Sequence, residues 1–318
     1  MSQNAPSEPP LTVLFTDLDG TCVHYDTHEF ARVEQQPTAA GLYPAASLDG
    51  AQHTLLLRLP PSTSGAQGVI SLETLRMYAA LRQLGVKLVV VTGARTATLL
   101  ARLPFIPAAD AYVCEGGGRI FYPAVAADMP TAAPLVEDLA WRQRQVAAGP
   151  VGQDRLPPEQ RTGALWRFYA QLTAAAPVGV KADALSYTTA FRVKGTPETV
   201  AAAVAELPDG LATAVNLGAA DVFPATSGKE NAARYLMERY GAAPDDCAFM
   251  CDDDNDLALA ALVRRAYLPG ITADTVRQAV DSNPERFYVA AAKGVFGAEE
   301  VLRVLLAERL AAATEAAR

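Results

Sequence analysis

The chain has no unbroken apolar stretch approaching the roughly 18 residues of a membrane-spanning helix, and it is poor in cysteine, in histidine and in basic charge. Each shortage excludes something. Cys22, Cys114, Cys247 and Cys251 form neither a Cys-x-x-Cys pair nor the dense spacing of a disulfide scaffold, so a reduced, cytoplasmic protein is expected. With 27 Lys and Arg against 35 Asp and Glu, the net charge of −8 argues against nucleic acid or an anionic membrane surface as main partner. Small anions can still bind locally. Met1 to Pro10 is polar, carries Glu8 and lacks an apolar signal core, which predicts a disordered tail at 1–10.

What is present begins with length: 318 residues favour two domains over one. Apolar runs without strict polar alternation occur at 11–15, 88–91, 111–114, 247–251 and 266–268. Parallel strands covered on both faces have this pattern. Between the first two, Ser71 caps a helix with Leu72, Leu75, Tyr78, Ala79 and Leu84 near helical spacing, and Gly85 stops it. Further helices fit 96–103, 230–240 closed by Gly241, 256–264, and 297 to about 313. This alternation predicts an α/β fold with a Rossmann-like, doubly wound parallel sheet, whose ligands bind at the carboxyl ends of the strands.

Residues 124–218 break the rhythm with Pro- and Ala-rich segments, a helix near 158–175, strand-like 186–193 and 211–217, and a helix at 197–206 after Thr196. They are expected to form an inserted α+β domain, with 11–123 and 219–318 as the core. Residues 23–68 have no clear period apart from a strand-like piece at 54–59; they are either a flap near the site or a long surface excursion.

Chemistry-bearing residues follow the strands. Asp17 and Asp19, two apart at a strand end, point the same way, so one carboxylate can attack or bind metal while the other handles a proton. Gly20 lets the backbone turn sharply, and the Thr21 hydroxyl can brace a carboxylate. The density of Asp252-Asp253-Asp254-Asn255-Asp256 requires a cation or solvent. A calcium loop is excluded because its sixth position is Leu257 and its twelfth Val263, which leaves a solvated turn or a hard-cation site shared with Asp17. Thr92 and Gly93 are either a plain strand-to-helix cap or an anion site, and Lys229, after Thr226-Ser227-Gly228, either a surface lysine or an anion contact.

Asp17-Leu18-Asp19-Gly20-Thr21, Val91-Thr92-Gly93, Ser227-Gly228-Lys229 and Asp252-x-x-Asn255-Asp256 together resemble the four ordered motifs of haloacid dehalogenase superfamily phosphatases. The insertion resembles the class IIB cap of Cof-type, sucrose-phosphate and mannosyl-3-phosphoglycerate phosphatases and of eukaryotic phosphomannomutase, and Glu115-Gly116-Gly117 resembles their Asn-Gly or Glu-x-Gly turn. Cys251 in place of the usual glycine, Ala94 between Gly93 and Arg95, and the long 23–68 stretch depart from the pattern.

The resemblance implies a small-molecule phosphate ester substrate, with a sugar phosphate as the family-weighted choice. Asp17 would be the nucleophile and Asp19 the acid and base. Mg²⁺ would lie between the Asp17 carboxylate, the Asp19 carbonyl and Asp252, with Asp256 close by. Thr92, Gly93, Lys229 and Asn255 would hold phosphate. Arg192 and Lys194, sharing one strand face, are either substrate contacts or an exposed basic pair. A phosphomutase and a noncatalytic phosphometabolite sensor are the competing functions.

Overall fold

The computed structural model describes residues 10–62, 65–124, 135–216 and 219–316, so the expected tail lies outside it except for Pro10. Its largest sheet has eight strands in the order Phe287–Val289, Arg265–Leu268, Cys247–Met250, Val13–Thr16, Lys87–Val91, Ala111–Cys114, Arg119–Pro123 and Leu135–Glu137. The strands from Phe287–Val289 to Ala111–Cys114 are parallel, and the last two are antiparallel.

Successive residues of the central strands enter opposite cores. Leu14, Leu88, Val90 and Met250 pack with Tyr78 and Leu81 of helix Leu72–Gln83 and with Val301, Leu302 and Leu305 of helix Gly294–Ala316. Val13, Phe15, Val89, Val91 and Phe249 pack on the other face with Ala232 and Leu236 of helix Lys229–Tyr240 and Leu259 of helix Leu257–Leu262. Both faces being covered is why these strands read as continuous apolar runs. Each fully buried Leu or Phe contributes about 1.5–3 kcal/mol, which fixes the strand ends that carry the site. Ser71 caps its helix as expected, accepting from the Thr74 amide at 2.9 Å, and Gly85 follows the helix at φ +86°.

A second, antiparallel sheet has the order Lys181–Asp183, Phe191–Lys194, Ala219–Pro224, Leu211–Asn216. Phe191, Val193, Ala220 and Val222 pack against Leu165, Trp166 and Phe168 of helix Ala164–Ala175 and Val200 of helix Pro197–Val204. One face is thus helix-covered, while Arg192 and Asp221 lie on the other. The expected strand at 186–193 is shorter than its pattern suggests. Ser186 has φ +59°, and Thr188 and Thr189 are drawn into side-chain contacts with the main sheet's loops.

The 23–68 stretch folds into more than its sequence suggests. Ala31–Val33, Tyr43–Ser47 and His53–Arg58 join Val69–Ser71 in an antiparallel sheet. Pro44 masked the strand pattern, yet its carbonyl still accepts from the Glu34 amide at 2.9 Å. The inner face, with Ala45 and Leu56, packs on Val295 and Phe296, so most of the stretch is a buttress for the last helix. Its root reaches the strand ends through Tyr25. Among the described residues no helix is long and apolar enough to cross a membrane.

Candidate active site

Adjacent parallel strands deliver the motifs to one crevice. Val13–Thr16 leads to Asp17, Lys87–Val91 to Thr92 and Gly93, Ala111–Cys114 to Glu115, and Cys247–Met250 to Asp252. The chain leaves Val13–Thr16 through a tight turn in which the Val23 amide donates to Leu18 O and the Gly20 amide to Val23 O, both at 2.8 Å. Gly20 has φ +88°, and a Cβ there would lie 2.0 Å from Asp252 Oδ2. Glycine is therefore what admits Asp252 to the turn.

Asp17, Asp252 and Asp256 are buried, with carboxylate oxygens within 4.8 Å of one another. Lys229 Nζ stands 3.0 Å from Asp17 Oδ2 and donates to Asp256 Oδ1 at 2.6 Å and to Asn255 Oδ1 at 3.3 Å. The Leu18 amide donates to Asp17 Oδ1 at 2.7 Å, and the Thr21 hydroxyl to Asp252 Oδ1 at 2.5 Å. Burial pushes the Asp17 carboxyl up to about 7 against the pull of Lys229. Burial, with Asp17 and Asp256 beside it, also raises Asp252. Burial opposes the Lys229 charge, but Asp17 and Asp256 outweigh it and hold the ammonium above its ordinary range.

Three buried carboxyl groups face one ammonium, and the crowding that raises Asp17 and Asp252 is relieved when a cation binds between them. Asp17, Asp252 and Asp256 offer only oxygen donors, a set that could hold a hard metal ion. Asp254 instead accepts from the Thr275 hydroxyl at the surface, and Asp253 is only partly buried.

Asp19 does not place its side chain in that cluster. Its Oδ1 accepts from Tyr25 Oη and, at 2.7 Å, from Arg102 Nη1, while Arg102 Nη2 donates to Tyr25 Oη at 3.0 Å. Thr92 is buried, and its hydroxyl oxygen accepts from the Ala94 amide at 3.0 Å, so the turn-capping alternative is met while the hydroxyl hydrogen stays available to an anion. Gly93, Gly116, Gly228, Lys229, Glu230 and Asn255 line a cavity of about 40 Å³ together with Ala214, Asp221 and Phe223 of the second sheet.

Arg192 and Lys194 share a face as expected, but both are paired. Arg192 forms a two-pronged bridge to Asp221 at 2.7 Å for each bond, and Lys194 lies 2.8 Å from Asp183. Their charge is compensated within the second sheet, so neither is an uncommitted cation.

The ties between the two sheets were missed in the sequence reading. Glu115 is buried and accepts from the Thr188 amide at 2.9 Å, the Thr189 amide at 2.7 Å and the Thr96 hydroxyl at 2.6 Å. Arg95 reaches Asp183 at 2.8 Å and stacks over Tyr187. Arg95, two residues after Gly93, was the available signal, and only its partners across space show what it does.

No family model matches this sequence, and no curated protein matches it by sequence. The fold has clear counterparts. A sucrose-phosphatase from Synechocystis sp. PCC6803, solved with sucrose and phosphate, superposes with a TM-score of 0.59 at 16% identity over 94% of this chain and 98% of that one. The sugar phosphatase BT4131, described as HAD subclass IIB, gives 0.53 at 12% over 92% and 97%. BT1666 from Bacteroides thetaiotaomicron, described as a HAD superfamily phosphatase, gives 0.53 at 15% over 96% and 98%. With its parallel core and second antiparallel sheet, this chain has the fold of the haloacid dehalogenase superfamily phosphatases of subclass IIB, the group its four motifs resemble.

Proposed function

We propose that this protein is a Mg²⁺-dependent phosphatase that hydrolyses a small phosphate monoester, a sugar phosphate or related metabolite, through an aspartyl-phosphate on Asp17. The observation that carries this is the convergence of Asp17, Asp252 and Asp256 on Lys229, which itself lines a small cavity. The solved neighbours, among them a sucrose-phosphatase and a sugar phosphatase, support the reaction class and the kind of substrate.

Asp17 attacks phosphorus as the ester P–O bond breaks, and Asp19 gives its proton to the leaving oxygen. In the second step Asp19 takes a proton from water, which attacks the same phosphorus and frees Asp17. Lys229, the Gly93 amide, the Thr92 hydroxyl and Asn255 are proposed to hold the nonreacting oxygens, where fixed donors act most strongly on developing charge. Mg²⁺, when bound by Asp17, Asp252 and Asp256, offsets the charge of the phosphoryl group. The Asp19 carbonyl is proposed as a further ligand.

Arg192 is proposed to act on substrate only through Asp221, which lines the cavity. Lys194 is proposed to hold Asp183. The inserted domain is proposed to run from Gln145 to Ala225, because Leu135–Glu137 pairs with the main sheet and Ala219–Pro224 with the small one. A cap with those borders supplies Ala214, Asp221 and Phe223 to the cavity lining.

The test is phosphate release from a panel of sugar phosphates, phosphoglycerates and nucleotides, each with Mg²⁺ and with chelator and without a bisphosphate activator. Release that chelator stops is the expected result. Silence across the panel would overturn the proposal.

A further inference from the structure

We infer that Arg102, together with Tyr25, is a positioning residue that aims the Asp19 carboxyl for proton transfer; the inference rests on the phosphatase proposal. Arg102 ends helix Thr96–Arg102, which starts just past Gly93, and its side chain is 1% exposed. Burying a guanidinium is costly, and an apolar side chain of similar volume often serves stability as well or better. The arginine's Nε has no hydrogen-bond partner among the described residues, so its compensation comes from Asp19 at 2.7 Å and the Tyr25 hydroxyl at 3.0 Å.

The arrangement is directional. Both donors converge on Asp19 Oδ1, which leaves Oδ2 outside these two bonds, and the Asp19 side chain as a whole keeps 22% exposure. One guanidinium prong and the tyrosine hydroxyl that the other prong braces both hold Oδ1, which restrains rotation of the carboxylate and leaves Oδ2 as the atom that carries the proton to and from the leaving group. Tyr25 comes from the root of the 23–68 stretch and Arg102 from the helix after Gly93, so two separate elements fix one rotamer. Holding a reacting group within a few tenths of an ångström is where such support has its effect.

The test uses a leaving group that needs no proton. For an alkyl phosphate such as glycerol phosphate the departing alkoxide must be protonated, whereas 4-nitrophenolate leaves unaided. The ratio of kcat/KM for the alkyl ester to kcat/KM for the 4-nitrophenyl ester therefore reports proton delivery in the first step. In Arg102→Gln this ratio is expected to fall by about 100-fold, as in Asp19→Asn, with partial recovery in Arg102→Lys. Tyr25→Phe, which leaves the buried arginine in place, is expected to lower it by about 5-fold and carries the test if Arg102→Gln does not fold. An unchanged ratio in the folded variants, with activity lost equally on both esters, would show a merely structural arginine and overturn the inference. A wild-type protein inert toward both esters would instead count against the phosphatase proposal.

Discussion

Glu115 accepts from both the amide and the hydroxyl of Thr189, at 2.7 and 2.8 Å, tying a loop of the main sheet to a loop of the second one. Removing the carboxylate in Glu115→Ala strands buried donors on Thr188 and Thr189. A loss of about 2–3 kcal/mol in urea unfolding is expected, with Glu115→Gln losing less because it keeps one acceptor. Equal stability of Glu115→Ala and wild type would mean that water replaces these bonds at no cost.

Asp17→Asn is expected to abolish turnover while leaving the fold intact, because the amide keeps the volume and an acceptor for the Leu18 amide but cannot form the covalent intermediate. Phosphate release is the measurement, and near-wild-type release would exclude Asp17 as nucleophile.

The crowded carboxylates make cation binding visible without catalysis. Mg²⁺ at about 100 times its Kd should stabilise the protein by about 2.7 kcal/mol in a thermal melt. Asp252→Asn should remove most of that response while raising the stability of the metal-free protein, since it deletes one of three crowded carboxylates. A variant with the wild-type Mg²⁺ response would place the ion elsewhere.

Gly20→Ala puts a Cβ where Asp252 Oδ2 lies and demands φ +88° of a residue with a side chain. Displacement of Asp252 should cost both the Mg²⁺-induced shift in melting temperature and at least about 100-fold in kcat/KM. Retention of both would show that the turn relaxes without moving the carboxylate.

Asp183 titrates in the direction of a paired acid. Burial opposes ionisation, but Lys194, the Leu185 amide and Arg95 hold its carboxyl down to about 2, below its ordinary 3.8. The folded value lies below the unfolded one, so the stabilisation is full above about pH 4 and fades as pH falls toward 2. The gap in melting temperature between wild type and Asp183→Asn should accordingly be constant near neutrality and close below pH 4. A gap independent of pH would show that the pair contributes through packing alone.

Much of this molecule is legible in local sequence because local physics sets it. The strand runs, the Ser71 cap and the Gly85 stop depend on side-chain period and backbone conformation within a few residues. The buttress sheet is less legible, since its strands are short and Pro44 interrupts the pattern. Of the five residues from Asp252 to Asp256, all but one carry the same side chain, and nothing in their order says that Asp252 and Asp256 turn inward while Asp254 meets Thr275.

By itself the sequence determined which residue types stand at the carboxyl end of each strand, since an apolar run ending in Asp17, Thr92, Glu115 or Asp252 carries that information within a single segment. Tertiary structure alone decided the pairings: Lys229 with Asp17, Arg102 with Asp19, Glu115 with Thr189, Arg192 with Asp221. The reason is range. Strand period and capping act between near neighbours, whereas the charge balance of a buried site depends on which distant segments the sheet order brings within a few ångströms of each other.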